Sequence, residues 1–164
     1  MIDKTFPLTE RLFKQLLADS TAFLGELKQE QALLKPPVDT AKLDLVIQQK
    51  NQSLSQLNTG FGRLQQVLAS ERLSYNLESV ASYLSKAAAA GFDTAQALEL
   101  WQQIVRLSEQ SQRLNDQNGI RIEALLRHNK QALSILKGQA GTAHSYGRDG
   151  ATQNIPQSHT HFSA

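Results

Sequence analysis

The chain has 164 residues, a formal net charge of +2 and no cysteine, which leaves room for one domain and a tail and excludes disulfides and thiolate metal sites. Aromatic residues make up 6% of it while glutamine occurs 19 times, a composition of solvated helices rather than of a thick globular core. The basic excess is no nucleic-acid footprint: residues 1–120 hold 12 Lys+Arg against 13 Asp+Glu, residues 121–164 hold 5 against 2, and no basic stripe interleaved with aromatics forms.

The N-terminus, Met1-Ile2-Asp3-Lys4-Thr5, lacks the charged-then-apolar layout of a signal peptide. The longest small apolar run, Ala87 to Ala90, is too short for a bilayer. A cytoplasmic protein is therefore expected. The first predicted helix carries Thr9, Phe13, Leu16, Ser20, Phe23, Leu27, Glu30 and Leu34 at alternating spacings of four and three, widened by Leu12, Leu17, Leu24 and Leu33. Pro36-Pro37 ends it, since neither proline donates an amide hydrogen and the first disfavours helix at Lys35. Asp39 or Thr40 is the expected cap of the next helix.

That second helix repeats the alternation through Leu43, Ile47, Lys50, Leu54, Leu57, Phe61, Leu64 and Leu68, a coiled-coil seam. Gly60 and Gly62 flank Phe61 and mark either a close helix approach or a bend. Residues 71–90 read as a short helix with Leu73, Leu77, Val80, Ala81 and Leu84 inward, stopped by Gly91. Asp93 with Gln96 forms a variant capping box. The last helix is predicted from about Thr94 to Lys137, straight through Asn118-Gly119, and would be about 65 Å long. Its expected seam is Leu98, Trp101, Val105, Ser108, Gln112, Asn115, Gly119, Ile122, Leu126, Asn129, Leu133 and Leu136.

The fold expected is thus all-α: an elongated antiparallel helical bundle or coiled coil of three long helices plus one short helix. Residues 1–138 form its helical domain and 139–164 a disordered C-terminal tail, too poor in large apolar residues to offset the entropy of ordering.

No catalytic constellation stands out, and an enzyme is not expected. His128 lies on the last helix while His144, His159 and His161 lie in the tail, where His159-Thr160-His161 lacks a carboxylate or thiol partner for a metal. No phosphate loop or nucleophile elbow is present, so neither a metal nor a cofactor is expected. Asn115, Asn118 and Gly119 either set helix register and packing or sit beside a partner surface. Ile122, Leu125, Leu126, Ala132, Leu133, Ile135 and Leu136 make an apolar face near the helix end, a natural place to capture another helix.

Three ordered blocks carry a resemblance. Leu114-Asn115-Asp116-Gln117-Asn118-Gly119, then Arg127 through Leu136, then Tyr146-Gly147-Arg148-Asp149-Gly150-Ala151-Thr152 resemble the C-terminal half of the FlgN-type flagellar type III export chaperones, with Trp101 upstream. The resemblance implies a cytoplasmic, non-enzymatic chaperone that binds the helical termini of hook–filament junction subunits and delivers them to the export gate's cytoplasmic domain. The client-binding residues it implies are Asn118, Gly119, Ile122, Leu126, Asn129, Leu133 and Leu136; the gate-binding ones are Tyr146, Gly147 and Gly150. Gln157 to Ala164 carries no basic run, a departure that puts any charge-dependent tail contact in doubt. The competing reading is a structural coiled-coil scaffold or adaptor, self-associating through the second-helix seam; the sequence leaves homo-oligomerisation open.

Overall fold

The computed structural model describes residues 2–137. They form α1 (Ile2–Leu33), α2 (Thr40–Ser70), α3 (Leu77–Ala89) and α4 (Ala95–Leu136), with no strand among the described residues. The architecture is all-α, three long helices and one short. Two compact units divide the chain, residues 1–122 and 123–164; the tail expected from 139 lies outside the described residues.

Cross-helix bonds set the topology of the first unit. Glu26 meets Ser53, Glu30 meets Lys50 and Thr5 meets Glu71, so α1 and α2 run antiparallel. Between α1 and α4 the order is reversed: Phe13 stacks on Trp101 with ring centroids 5.4 Å apart, and Leu27 and Glu30 bond to Asn118. These two helices run parallel, which makes an up-down-up arrangement of α1, α2 and α4. Helix α3 lies against the start of α1, where the buried Tyr83 hydroxyl bonds Thr5 and Thr9 at 3.1 and 3.0 Å. Phe6 closes the same end against Phe92.

The core runs through Phe6, Phe13, Leu16, Leu57, Leu64, Leu68, Val80, Tyr83 and Ile104; each large side chain so buried contributes about 1.5–3 kcal/mol. On α1 the expected line is the observed one at Thr9, Phe13, Leu16, Ser20, Leu24, Leu27, Glu30 and Leu34, with Phe23 only partly covered. It also continues N-terminally through Pro7 to the buried Phe6. On α2 the upper seam is shifted: Val46, Ser53, Leu57, Gly60, Leu64 and Leu68 are buried, whereas Leu54 is exposed. Leu57, Leu64 and Leu68 are thereby spent on the chain's own core.

Helix α2 starts where expected. Asp39 caps it by accepting from the Lys42 amide at 3.1 Å, and that amide, seconded by the Lys42 ammonium, holds the Asp39 carboxyl below its usual range. Its end is a Schellman turn: Leu73 N–H reaches the Leu68 carbonyl and Arg72 N–H the Ala69 carbonyl, with Arg72 at φ 59°. This turn corrects the short-helix prediction, because the chain leaves helix at Glu71 and α3 starts only after Asn76, which caps the Ser79 amide. The inward face changes with it. Val80 and Leu84 are buried as expected, but Leu77 and Ala81 are exposed, and Tyr83 and Ala87 take their places. A second Schellman turn at Gly91, φ 91°, ends α3. Asp93 then takes up the Ala95 amide, two residues on rather than the three of a capping box.

The largest correction concerns α4. Its buried residues are Ala97, Ile104, Ser111 and Asn118, a strict seven-residue repeat one position before the predicted seam. Leu98, Ser108, Gln112 and Asn115 are exposed, while Trp101, Val105 and Gly119 are half-buried. Ile104 is the one large apolar residue of this inner line and the other three are small or polar, so hydropathy alone does not select the stripe that turns in. Of the second unit, the described residues are 123–137, the last turns of α4, and none of them is buried.

Candidate functional site

Asn118 sits in the middle of α4, 1% exposed. Its amide nitrogen donates to the Leu27 carbonyl and to Glu30 Oε2, both at 2.9 Å. Glu30, itself fully buried, accepts at Oε1 from Lys50 Nζ at 2.6 Å. One buried carboxylate therefore ties α1, α2 and α4 together. This placement corrects the expectation that Asn118 forms part of a partner surface, since its side chain faces inward and is committed there. Glu30 and Lys50 both lie on the expected apolar seams, and the fold pairs them. Opposite charges on facing seams of a hairpin were the signal for it.

Gly119, beside it, is half-buried, and a Cβ there would meet no atom within 4 Å. It is not a close-approach glycine. Gly60 is, because its Cβ would lie 2.6 Å from the Leu16 Cδ2. Asn115 is exposed and lines a groove of about 410 Å³ between α2 and α4, floored by Ser20 and Phe23 and walled by Leu54, Phe61 and Gln112. Asn118, not Asn115, is thus the polar residue that fixes helix register.

Further along α4, Ile122 is half-buried and Asn129 exposed. Leu126 is 55% exposed, Leu133 54% and Leu136 82%, with Ile135 bare at 71%. Leucines at 126 and 133, a heptad apart, share one face of the helix with Asn129 and Leu136. A face of this kind offers no acid, base or nucleophile to a substrate; it offers apolar area, about 25 cal/mol for each Å² covered. His128 on the same stretch is exposed, and among the described residues no group of three His, Cys, Asp or Glu could hold a metal ion. Tyr146, Gly147 and Gly150, and likewise His144, His159 and His161, lie outside the described residues.

The model of the FlgN family, described as "FlgN protein", matches residues 9–154. The chain belongs to the FlgN family. FlgN proteins are flagellar chaperones that bind flagellar substrate proteins. The match covers α1 as well as the later blocks, although the helical pattern of the first half had no distinctive residues to carry a resemblance. No curated protein and no solved structure matches the chain. No described helix is long and apolar enough to cross a membrane.

Proposed function

We propose that this FlgN-family chain is a cytoplasmic, non-enzymatic export chaperone for hook–filament junction subunits. It holds their helical termini on the end of α4 and delivers them to the cytoplasmic domain of the type III export gate. The observation that carries the reading is the bare apolar face of α4: Leu126, Leu133 and Leu136 are all more than half exposed. Such a row is an aggregation hazard for a chain that works alone and a docking strip for one that holds a helix. Asn129 belongs to the same strip, and Gly119 and Ile122 are further proposed client contacts on the preceding turns of α4. Asn118 anchors α4 to α1 within the first unit and is not proposed as a contact.

Junction subunits assemble through their terminal helices, which need covering until export. Reversible burial against α4 provides that cover. Tyr146, with Gly147 and Gly150, is the proposed gate contact. Tethering on a short tail raises its local concentration to the order of millimolar, so each contact can stay weak and releasable. The test is co-purification with junction subunits. Leu126→Asp and Leu133→Asp should each abolish the complex while leaving the circular dichroism and urea midpoint nearly unchanged, since both side chains are exposed in the free chain. Variants that fold and still bind normally would refute the assignment. Tyr146→Ala should weaken gate binding and spare the subunit complex; loss of both together would contradict separate contacts.

A further inference from the structure

Helices α1 and α2 carry a second surface feature, independent of the α4 face and of the function proposed for it. A groove of about 530 Å³ runs between them, lined by Leu8, Arg11 and Leu12 on one side and Arg63, Gln66 and Val67 on the other. Leu8 is 60% exposed. Leu12 and Val67 pack their inner sides on the core and leave the rest uncovered. The antiparallel register, fixed by Leu16 against Gly60 below and Thr5 against Glu71 above, sets Arg11 and Arg63 on opposite banks of this apolar strip.

Both arginines are exposed and neither forms an ion pair among the described residues; the pairs present are Lys42–Asp39, Lys50–Glu30 and Arg113–Glu109. No carboxylate lines the groove. The acids at its two ends are occupied, Asp19 by Gln15 and Glu71 by Thr5. Two permanent positive charges thus flank a leucine–valine floor that extends from Leu8 to Gln15, about two helical turns or 10 Å. Guanidinium groups bind carboxylates in a planar, two-point fashion, and their positions here leave the floor free for side chains.

We propose that this groove docks an amphipathic helix of a partner protein, one with two or three apolar residues at helical spacing and Asp or Glu on both flanks. Apolar area gives the contact its strength, and the two arginines give it charge selection and orientation. Phosphates of a nucleic acid would gain little here, because two charges beside an apolar strip release few counterions.

The test uses the full chain and two fluorescently labelled helical peptides of about sixteen residues. Both carry leucines at i, i+4 and i+7; one has glutamates on the flanks and the other lysines. In fluorescence anisotropy the acidic peptide should bind and should weaken as salt is raised, and the lysine peptide should not bind. The Arg11→Glu/Arg63→Glu double variant should lose at least about tenfold in affinity for the acidic peptide and gain affinity for the lysine one. Leu126→Asp/Leu133→Asp should bind like the wild type. Equal binding of both peptides, an unaffected double-arginine variant, or loss of binding in the leucine variant would each overturn the proposal. So would sedimentation showing that Arg11→Glu/Arg63→Glu dissolves a homo-oligomer, which would make the occupant a second copy of the chain.

Discussion

Glu30 is the residue on which three helices agree. Its carboxylate is fully buried, and it receives one proton donor from α2 and one from α4. Removing a charged group from water costs several kcal/mol, so such a group is tolerated only while its partners remain. Lys50→Met would leave the carboxylate with the Asn118 amide alone. A loss of about 3 kcal/mol in unfolding free energy by urea denaturation is expected, at the lower end of the range because the Lys50 side chain is 16% exposed. The double variant Glu30→Leu/Lys50→Met removes both charges together and should recover most of that loss. Equal costs for single and double variants would mean that the stranded carboxylate is not the source of the loss. The buried pair also shows why a charge on an apolar seam can be informative: Glu30 and Lys50 were both legible as seam positions, but only the hairpin register brings them within 2.6 Å.

At the scale of the element, the two glycines of α2 separate packing from propensity. Both sit inside a helix, where glycine costs about 1 kcal/mol against alanine. Gly62 has nothing within 4 Å of an added Cβ, whereas at Gly60 that atom would lie 2.6 Å from the fully buried Leu16. Gly62→Ala should therefore stabilise the fold by about 0.5–1 kcal/mol. Gly60→Ala should be neutral or destabilising by about 1–2 kcal/mol, because Leu16 has a filled core behind it. Urea unfolding of the two variants measures the contrast, and two equal gains would show that α1 and α2 pack less tightly at Gly60 than described. The sequence could mark both glycines but could not tell them apart, since the partner atom lies on another helix. The same blindness displaced the predicted seam of α4. Ala97 and Ser111 line the buried side because small side chains admit close neighbours, and Asn118 joins them through the bonds of its amide nitrogen to Leu27 and Glu30. A hydropathy pattern instead selected the larger Leu98, Val105 and Gln112 stripe beside them. Helix number, the stop at Pro36-Pro37 and the Asp39 cap were legible because they depend on residues within one turn of each other.

At the scale of the whole molecule, stability is unevenly shared along the chain. Residues of α1, α2 and the first part of α4 bury a continuous core, whereas none of residues 123–137 is buried. The apolar face there was legible in the sequence as a helical spacing of leucines, but its exposure was not, because exposure depends on what else folds beside it. A helix held by no buried side chain has little beyond its own hydrogen bonds to keep it closed, and about fourteen residues is near the limit of independent helix stability in water. Amide hydrogen exchange of the free chain should accordingly show residues 123–136 exchanging orders of magnitude faster than the amides around Leu16, Leu27 and Leu64, which open only with much of the core. Adding a junction subunit should slow exchange across Leu126, Leu133 and Leu136 and leave the protected core amides unchanged, because burial on binding then does for this stretch what the core does for the rest. If the free chain already protects residues 123–136 as strongly as α1, the leucine face is covered in solution and the proposed client would have to displace its cover. If a subunit that co-purifies leaves exchange there unchanged, the client is held elsewhere on the molecule.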